Sequence, residues 1–285
     1  MRRLVIGFIV LVVAASAAAA EPIKVVAAEN FYGDIARQIG GGEVAVASIL
    51  DNPDQDPHEF EASPSTARAF AEARIVIVNG VGYDEWATKL LNASPSPSRA
   101  VVSLATLLHK QIGANPHLWY DPAAIPALAK ALAGLFAKLD PVHQADFARR
   151  LARFQQSFEP LDARIAALRT RYSGTPVTAT EPVFGYMAAA LGLDTRNLGF
   201  QLAVMNDAEP APGAIAAIEK DLRSRAVRVL LYNSQTSEAL TRRMQRIAAQ
   251  SGVPVVGVSE TEPPGKDYQE WMLLQLDALD RALAP

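Results

Sequence analysis

Short runs rich in Val and Ile, each followed by a longer stretch with helical spacing, recur along this chain, and that alternation leaves few folds open. Strand-like runs cover residues 23–28, 44–49, 74–79 and 100–104, then 176–180, 196–201, 227–232 and 253–258. Helical patterns lie between them near 31–39, 65–73, 83–91 and 122–139, then near 182–191, 213–225, 237–250 and 268–283. Strand followed by helix, repeated, argues for parallel sheets covered on both faces. The runs at 227–232 and 253–258 are almost unbroken in apolar character, as strands buried on both faces are.

One segment interrupts the alternation. Asp140-Pro141 punctuates the chain, and residues 142–172 then contain a single proline, Pro160. Phe147, Leu151, Phe154, Phe158, Leu161, Ile165 and Leu168 recur there at three- and four-residue steps, the period of one helix face. Four strand-like runs precede this segment and four follow. It therefore reads as a long helix, 141–173, joining two α/β lobes at 21–140 and 174–285, each with a mainly parallel four-stranded sheet. Pro160 predicts a kink, because proline lacks the backbone donor and crowds the preceding turn.

Residues 1–20 stand apart from the fold. A basic start, an apolar run and Ala18-Ala19-Ala20 before Glu21 have the form of a cleaved export signal. The chain has no cysteine, which excludes a disulfide framework and a lipid anchor on an N-terminal Cys. The formal charge is -3, and -5 without Arg2 and Arg3. Such an acidic balance argues against nucleic acid, whose phosphates call for a basic surface.

Four polar signals sit where strands give way to loops, the ends at which open parallel sheets collect ligands. Asp56-Pro57-His58-Glu59 follows the second strand, and Asn115-Pro116-His117-Leu118-Trp119-Tyr120 repeats the Pro-His pair. Proline stiffens the backbone before each imidazole. Asp121-Pro122 then reads as a helix N-cap with proline in the first turn. His109 and His143 lack this setting and read as solvated. Glu181 follows the fifth strand, where it serves equally well as a helix cap. Glu260 and Glu262 follow the last strand, where a solvated acidic loop is the plain alternative for either. Two imidazoles and two carboxylates make the N2O2 set that zinc accepts, and their oxygens also suit manganese or ferrous iron.

At these residues the sequence resembles the metal-specific solute-binding proteins of bacterial zinc and manganese ABC importers. The likeness rests on Asp56-Pro57-His58 with Glu61 and Ser63-Pro64-Ser65, on Asn79-Gly80, and on Asn115-Pro116-His117-Leu118-Trp119. Phe184-Gly185-Tyr186, Glu209-Pro210 and Tyr268-Gln269-Glu270-Trp271-Met272 add to it. The resemblance implies two α/β lobes on one long helix, with a single divalent ion, zinc first, between His58, His117, Glu181 and Glu260. Glu181 falls where zinc-selective members place a third histidine and manganese-type members a glutamate. Glu260 stands where aspartate is usual, with Glu262 the alternative two residues on. The His-rich acidic loop of some zinc members is missing, since residues 109–115 are too few to hold one. The implied protein is a periplasmic monomer that delivers metal to an inner-membrane ABC permease and its cytoplasmic ATPase.

Two other classes compete. A zinc hydrolase would want three protein ligands and an open water position, but no H-E-x-x-H or G-x-S-x-G occurs. A receptor for an organic solute would use aromatic walls such as Trp86, Trp119 and Tyr120 and an arginine clamp.

Overall fold

In the computed structural model, which describes residues 21–236 and 238–284, strands and helices alternate in two matching halves. The first half runs β1 (Ile23–Glu29), α1 (Asn30–Gly40), β2 (Val44–Leu50), α2 (Pro64–Glu72), β3 (Ile75–Val78), α3 (Glu85–Ala93), β4 (Ala100–Ser103), α4 (Leu104–Leu107) and α5 (Ala124–Leu139). A 29-residue helix, α6 (Gln144–Tyr172), follows and continues through Pro160. The second half runs β5 (Pro176–Ala179), α7 (Gly185–Ala190), β6 (Asp194–Arg196), α8 (Leu198–Met205), α9 (Pro212–Arg223), β7 (Leu230–Asn233), α10 (Ala239–Gln250), β8 (Val255–Val258) and α11 (Tyr268–Leu283). Both sheets are four-stranded and parallel throughout, with orders β2-β1-β3-β4 and β6-β5-β7-β8.

The inner strands β1, β3 and β7 read as nearly unbroken apolar runs because both of their faces are covered. On β1 and β3, Val25, Ala27, Ile75 and Ile77 face the main core, while Val26, Ala28, Val76 and Val78 face a smaller cluster with Phe70 and Ala87. On β7, Leu231 joins the main core and Leu230 a second small cluster with Phe200, Ile218 and Met244. The main core is one body. It takes in the inward faces of both sheets, α5, α11 and the stripe of α6.

Along α6, Phe147, Phe154, Phe158, Leu161 and Leu168 are buried, while Leu151 and Ile165 are half-buried. Phe158 stacks on Tyr268 of α11 at 5.8 Å between ring centres and 9° between planes, so the long helix is fixed to the C-terminal helix by aromatic packing. Arg164 adds ion pairs to Asp277 and Asp280 on the same helix.

Two sequence expectations are corrected. Residues 196–201 are not a strand: β6 ends at Arg196, Asn197 turns the chain with φ 59°, and α8 begins at Leu198. Leu198 and Phe200 alternate as they would in a strand, but so short a pattern does not distinguish strand from helix, and an Asn that tolerates the left-handed region decides it here. Asp121 does not cap α5, which starts three residues later. Its carboxylate instead accepts the Ala123 N–H at 3.1 Å in the turn before the helix.

Candidate metal centre

In each sheet the strand order reverses beside the first strand, between β1 and β3 and between β5 and β7. Such a reversal opens a crevice at the strand ends. In the second half that crevice receives Glu181 just after β5, Asn233 as the last residue of β7, and Glu260 just after β8. Opposite them stand two loops of the first half. His58 sits in a single 3-10 turn, Pro57–Glu59, whose entry is fixed by the Asp56 carboxylate accepting the His58 N–H at 2.9 Å.

His117 immediately precedes another 3-10 turn, Leu118–Tyr120, and its loop is held from several sides. Asn79 donates from Nδ2 to the Pro116 carbonyl at 2.8 Å and accepts from the Tyr32 hydroxyl at 2.6 Å. The next residue, Gly80, has φ +83°, and a Cβ there would lie 2.8 Å from that of Ala105, so glycine is required at this turn. The Asn115 side-chain oxygen accepts both the backbone N–H (3.1 Å) and Nδ1–H (2.6 Å) of His117, while its Nδ2 donates to the Pro182 carbonyl at 2.7 Å. Asn115 thereby assigns the His117 proton to Nδ1 and turns Nε2 toward the crevice.

The structure brings His58, His117, Glu181 and Glu260 together, each offering an atom within 4.8 Å of the others. His117 Nε2 lies 3.5 Å from Glu181 Oε1 and 3.3 Å from Glu260 Oε2. His58 Nε2 lies 3.7 Å from Glu181 Oε1 and 3.5 Å from Glu260 Oε1. Tetrahedral zinc with bonds of about 2.0–2.1 Å sets its ligand atoms about 3.3–3.4 Å apart, which the two separations from His117 Nε2 approach. His117 Nε2, Glu181 Oε1 and Glu260 Oε2 are buried and have no hydrogen-bond partner among the described residues. They face one another only as ion pairs at 3.3–3.5 Å, and a cation shared among them would satisfy all three.

Exposure is uneven. The His58 side chain is 29% exposed, while those of His117 and Glu260 are 0% and that of Glu181 is 3% exposed. His58 opens onto a cavity of about 630 Å³ whose rim carries Asp54, Asp56, Glu59, Asp207 and Glu238. Carboxylates around a mouth attract cations.

Burial by itself would lower both imidazoles, but Glu181 and Glu260 reverse the effect, raising His58 to about 11 and His117 to about 9. Burial conversely would raise the two carboxyls, and the imidazoles hold both below their ordinary value, Glu260 most strongly. Without metal the cluster is thus two imidazoliums facing two carboxylates, which is neutral. A dication with two neutral imidazoles and the same carboxylates is neutral too. Metal can replace two protons without changing the buried charge.

Glu262 stands outside this cluster. Its backbone exchanges two hydrogen bonds with the Asn30 side chain, at 2.8 and 3.1 Å, across the two halves. Its carboxyl lines a separate cavity with Asp34, Arg37 and Lys266, and burial, then Asp34, pushes it up to about 8. Glu181 makes no capping hydrogen bond to the helix it precedes. Of the two remaining histidines, His109 is exposed, and the His143 side chain is 38% exposed while also bonded through Nδ1 to Asp140 at 2.6 Å. His143 also lies near Glu43 and Asp146, but Arg150 and Arg149 already pair with those carboxylates. Trp119 and Tyr120 are core residues with no exposure, and Trp86 packs on Phe60 and Phe70.

Sequence reasoning missed Asn233 and Gln235. Asn233 Nδ2 donates to Glu181 Oε2 at 2.9 Å and to Glu260 Oε1 at 2.5 Å. The Gln235 side-chain oxygen accepts the Glu260 N–H at 2.6 Å, and its Nε2 reaches the Gln55 carbonyl in the other half at 3.0 Å. The signal was the polar run Asn233-Ser234-Gln235 at the end of a largely buried apolar strand.

The chain is 24% identical to the manganese ABC transporter substrate-binding lipoprotein PsaA of Streptococcus mitis, with 99% of this chain and 97% of that protein covered. It is 22% identical to the manganese-binding lipoprotein MntA of Halalkalibacterium halodurans, covering 93% of this chain and 91% of that one. Its fold matches the periplasmic zinc-binding protein TroA of Treponema pallidum with a TM-score of 0.78 at 19% identity, over 93% of this chain and all of that one. A Mn2+ complex of the solute-binding protein FpvC from Pseudomonas aeruginosa matches with a TM-score of 0.73 at 20% identity, over 92% and 98% of the two chains. The model of one family, zinc-uptake complex component A periplasmic, matches residues 25–282, nearly the whole described chain, and the protein belongs to that family.

Proposed function

We propose that this protein is the extracytoplasmic solute-binding component of an ABC importer, capturing one divalent transition-metal ion with His58, His117, Glu181 and Glu260. The observation that carries the reading is the convergence of those four side chains, three of them offering buried atoms with no other partner among the described residues. Family membership and the transport roles named for its relatives support it. Zinc is the first choice of ion because the donor separations approach tetrahedral edges; manganese and ferrous iron are the alternatives. The metal is cargo, and catalysis is not part of the reading: four protein donors fill a tetrahedral shell and leave no open position for a reacting water.

The lobes in this reading are residues 21–140 and 174–285 on the connecting helix 141–173, and their cleft-flanking surfaces dock on the membrane permease. Residues 1–20 act as a cleaved signal that leaves a periplasmic monomer; they lie outside the described residues. The two curated relatives are lipoproteins by name, whereas this sequence contains no cysteine to carry a lipid. Metal analysis of tag-free, dialysed protein tests the central claim. One zinc or manganese ion per chain, bound more tightly than about micromolar and lost in His58→Ala and His117→Ala, is expected. Absence of binding in the wild type overturns the function, and unchanged affinity in either variant overturns that ligand.

A further inference from the structure

We infer that Asn233 is a specificity-determining residue: by occupying one oxygen of Glu181 and one of Glu260, it restricts each carboxylate to a single metal bond and so sets a four-coordinate shell. The inference rests on the metal-binding reading above and deepens it toward the choice of ion.

Asn233 is the last residue of β7 and is 1% exposed, so its side chain has no freedom to swing into solvent. An amide nitrogen carries two hydrogens, and here each goes to a different carboxylate, Glu181 Oε2 and Glu260 Oε1. The amide cannot be reversed. Its oxygen accepts the Gln235 N–H at 3.1 Å, and a flip would set that oxygen against two carboxylates. The oxygens that Asn233 leaves alone, Glu181 Oε1 and Glu260 Oε2, are the two that lack any hydrogen-bond partner among the described residues. One amide therefore holds Glu181 Oε2 and Glu260 Oε1 and leaves Glu181 Oε1 and Glu260 Oε2 facing His117 Nε2; Glu260 Oε1 also lies 3.5 Å from His58 Nε2, so the amide competes there directly with a second metal bond.

The consequence is a coordination number. A carboxylate that chelates through both oxygens adds a fifth and sixth ligand and favours an octahedral ion such as manganese, while zinc is content with four. A dication drawing on Glu181 Oε2 or Glu260 Oε1 as well would have to approach the partly positive Nδ2 hydrogens. Asn233 thus opposes chelation at both carboxylates at once. The backbone of Glu260 is held in the same sense, its N–H being fixed by the Gln235 side chain.

Cobalt(II) gives a direct readout, because tetrahedral cobalt absorbs visible light far more strongly than octahedral cobalt. The wild-type cobalt complex is expected to show intense tetrahedral bands. In Asn233→Ala and Asn233→Ser those bands weaken several-fold, and the ratio of zinc to manganese affinity, by competition titration, moves about tenfold or more toward manganese. Circular dichroism and melting establish that each variant is folded. A weakly absorbing, octahedral wild-type complex refutes the inference without recourse to any variant. Folded variants whose bands and affinity ratio stay within about twofold of the wild type refute it as well. Failure of the wild type to bind any metal instead removes the underlying function, so the two failures are distinct.

Discussion

Metal uptake by this site should release close to two protons at neutral pH. The perturbation is pH itself, and its leverage comes from the imidazoles, raised to about 11 at His58 and about 9 at His117 by the two carboxylates. A raised pKa means the metal-free site holds protons across the neutral range, and metal must displace them, so affinity rises with pH. Both carboxyls are held below their ordinary value and are already ionised there. Between pH 6.5 and 8.5, displacement of these two protons strengthens the apparent affinity about 8,000-fold; two ordinary imidazoles near 6.5 would give only about fourfold. Titration calorimetry at pH 7.5 in buffers of differing ionisation enthalpy counts the protons directly, with a competing chelator to bring the affinity into range. About two per metal are expected, against about 0.2 for unperturbed imidazoles. Fewer than about half a proton per metal, or an affinity change below about tenfold over that pH range, would refute the account of a neutral four-membered cluster.

The same imidazoles stabilise the metal-free fold fully below their unfolded pKa of about 6.5, and this contribution is lost as pH climbs through about 9 and then 11. Melting temperature without metal should therefore fall over that alkaline window while the metal-loaded protein falls less; parallel curves would contradict it. Glu260→Gln should weaken zinc binding by about a hundredfold or more and Glu262→Gln by less than about twofold, and the reverse order in a chelator competition would move the site to the other carboxylate. Asn115→Ala, which frees the His117 ring, should cost about 10–100-fold in affinity with the fold intact, and an unchanged constant would show that Pro116 alone positions the imidazole. Phe158→Ala, which removes the ring stacked on Tyr268, should cost about 3–5 kcal/mol in denaturant unfolding, and a loss below about 1 kcal/mol would mean the two helices are held by other contacts.

The strand-helix alternation was legible because strands buried on both faces write themselves as apolar runs, and the stripe on α6 because one face of a long helix repeats over many turns. The exception at residues 196–201 came from a run too short to show its period. The two Pro-His turns stood out as repeated local contexts. Neither Glu181 nor Glu260 could be singled out on local grounds, since an acidic loop residue looks the same whether it faces solvent or a crevice. What separates Glu260 from Glu262 is the direction in which the loop after β8 leaves the sheet, which depends on Gln235 and Asn30, far away in sequence. The polar run at Asn233 marked a strand end but not its partners, for a related reason. Its partners are contributed by two other strand ends, and only the sheet order makes them neighbours.

Because the inward faces of both sheets belong to one apolar body with α5, α6 and α11, the two lobes should not melt separately. Heating or denaturant ought to meet a single transition, and a fragment cut at the linking helix would expose the surface the other half had covered. The same cohesion bears on how cargo leaves. Parting the lobes would open that shared interior to water, so in the proposed role release should be cheaper by loosening the turn that carries His58, the one partly exposed member of the cluster. The site is then less a jaw than a socket with a single removable wall.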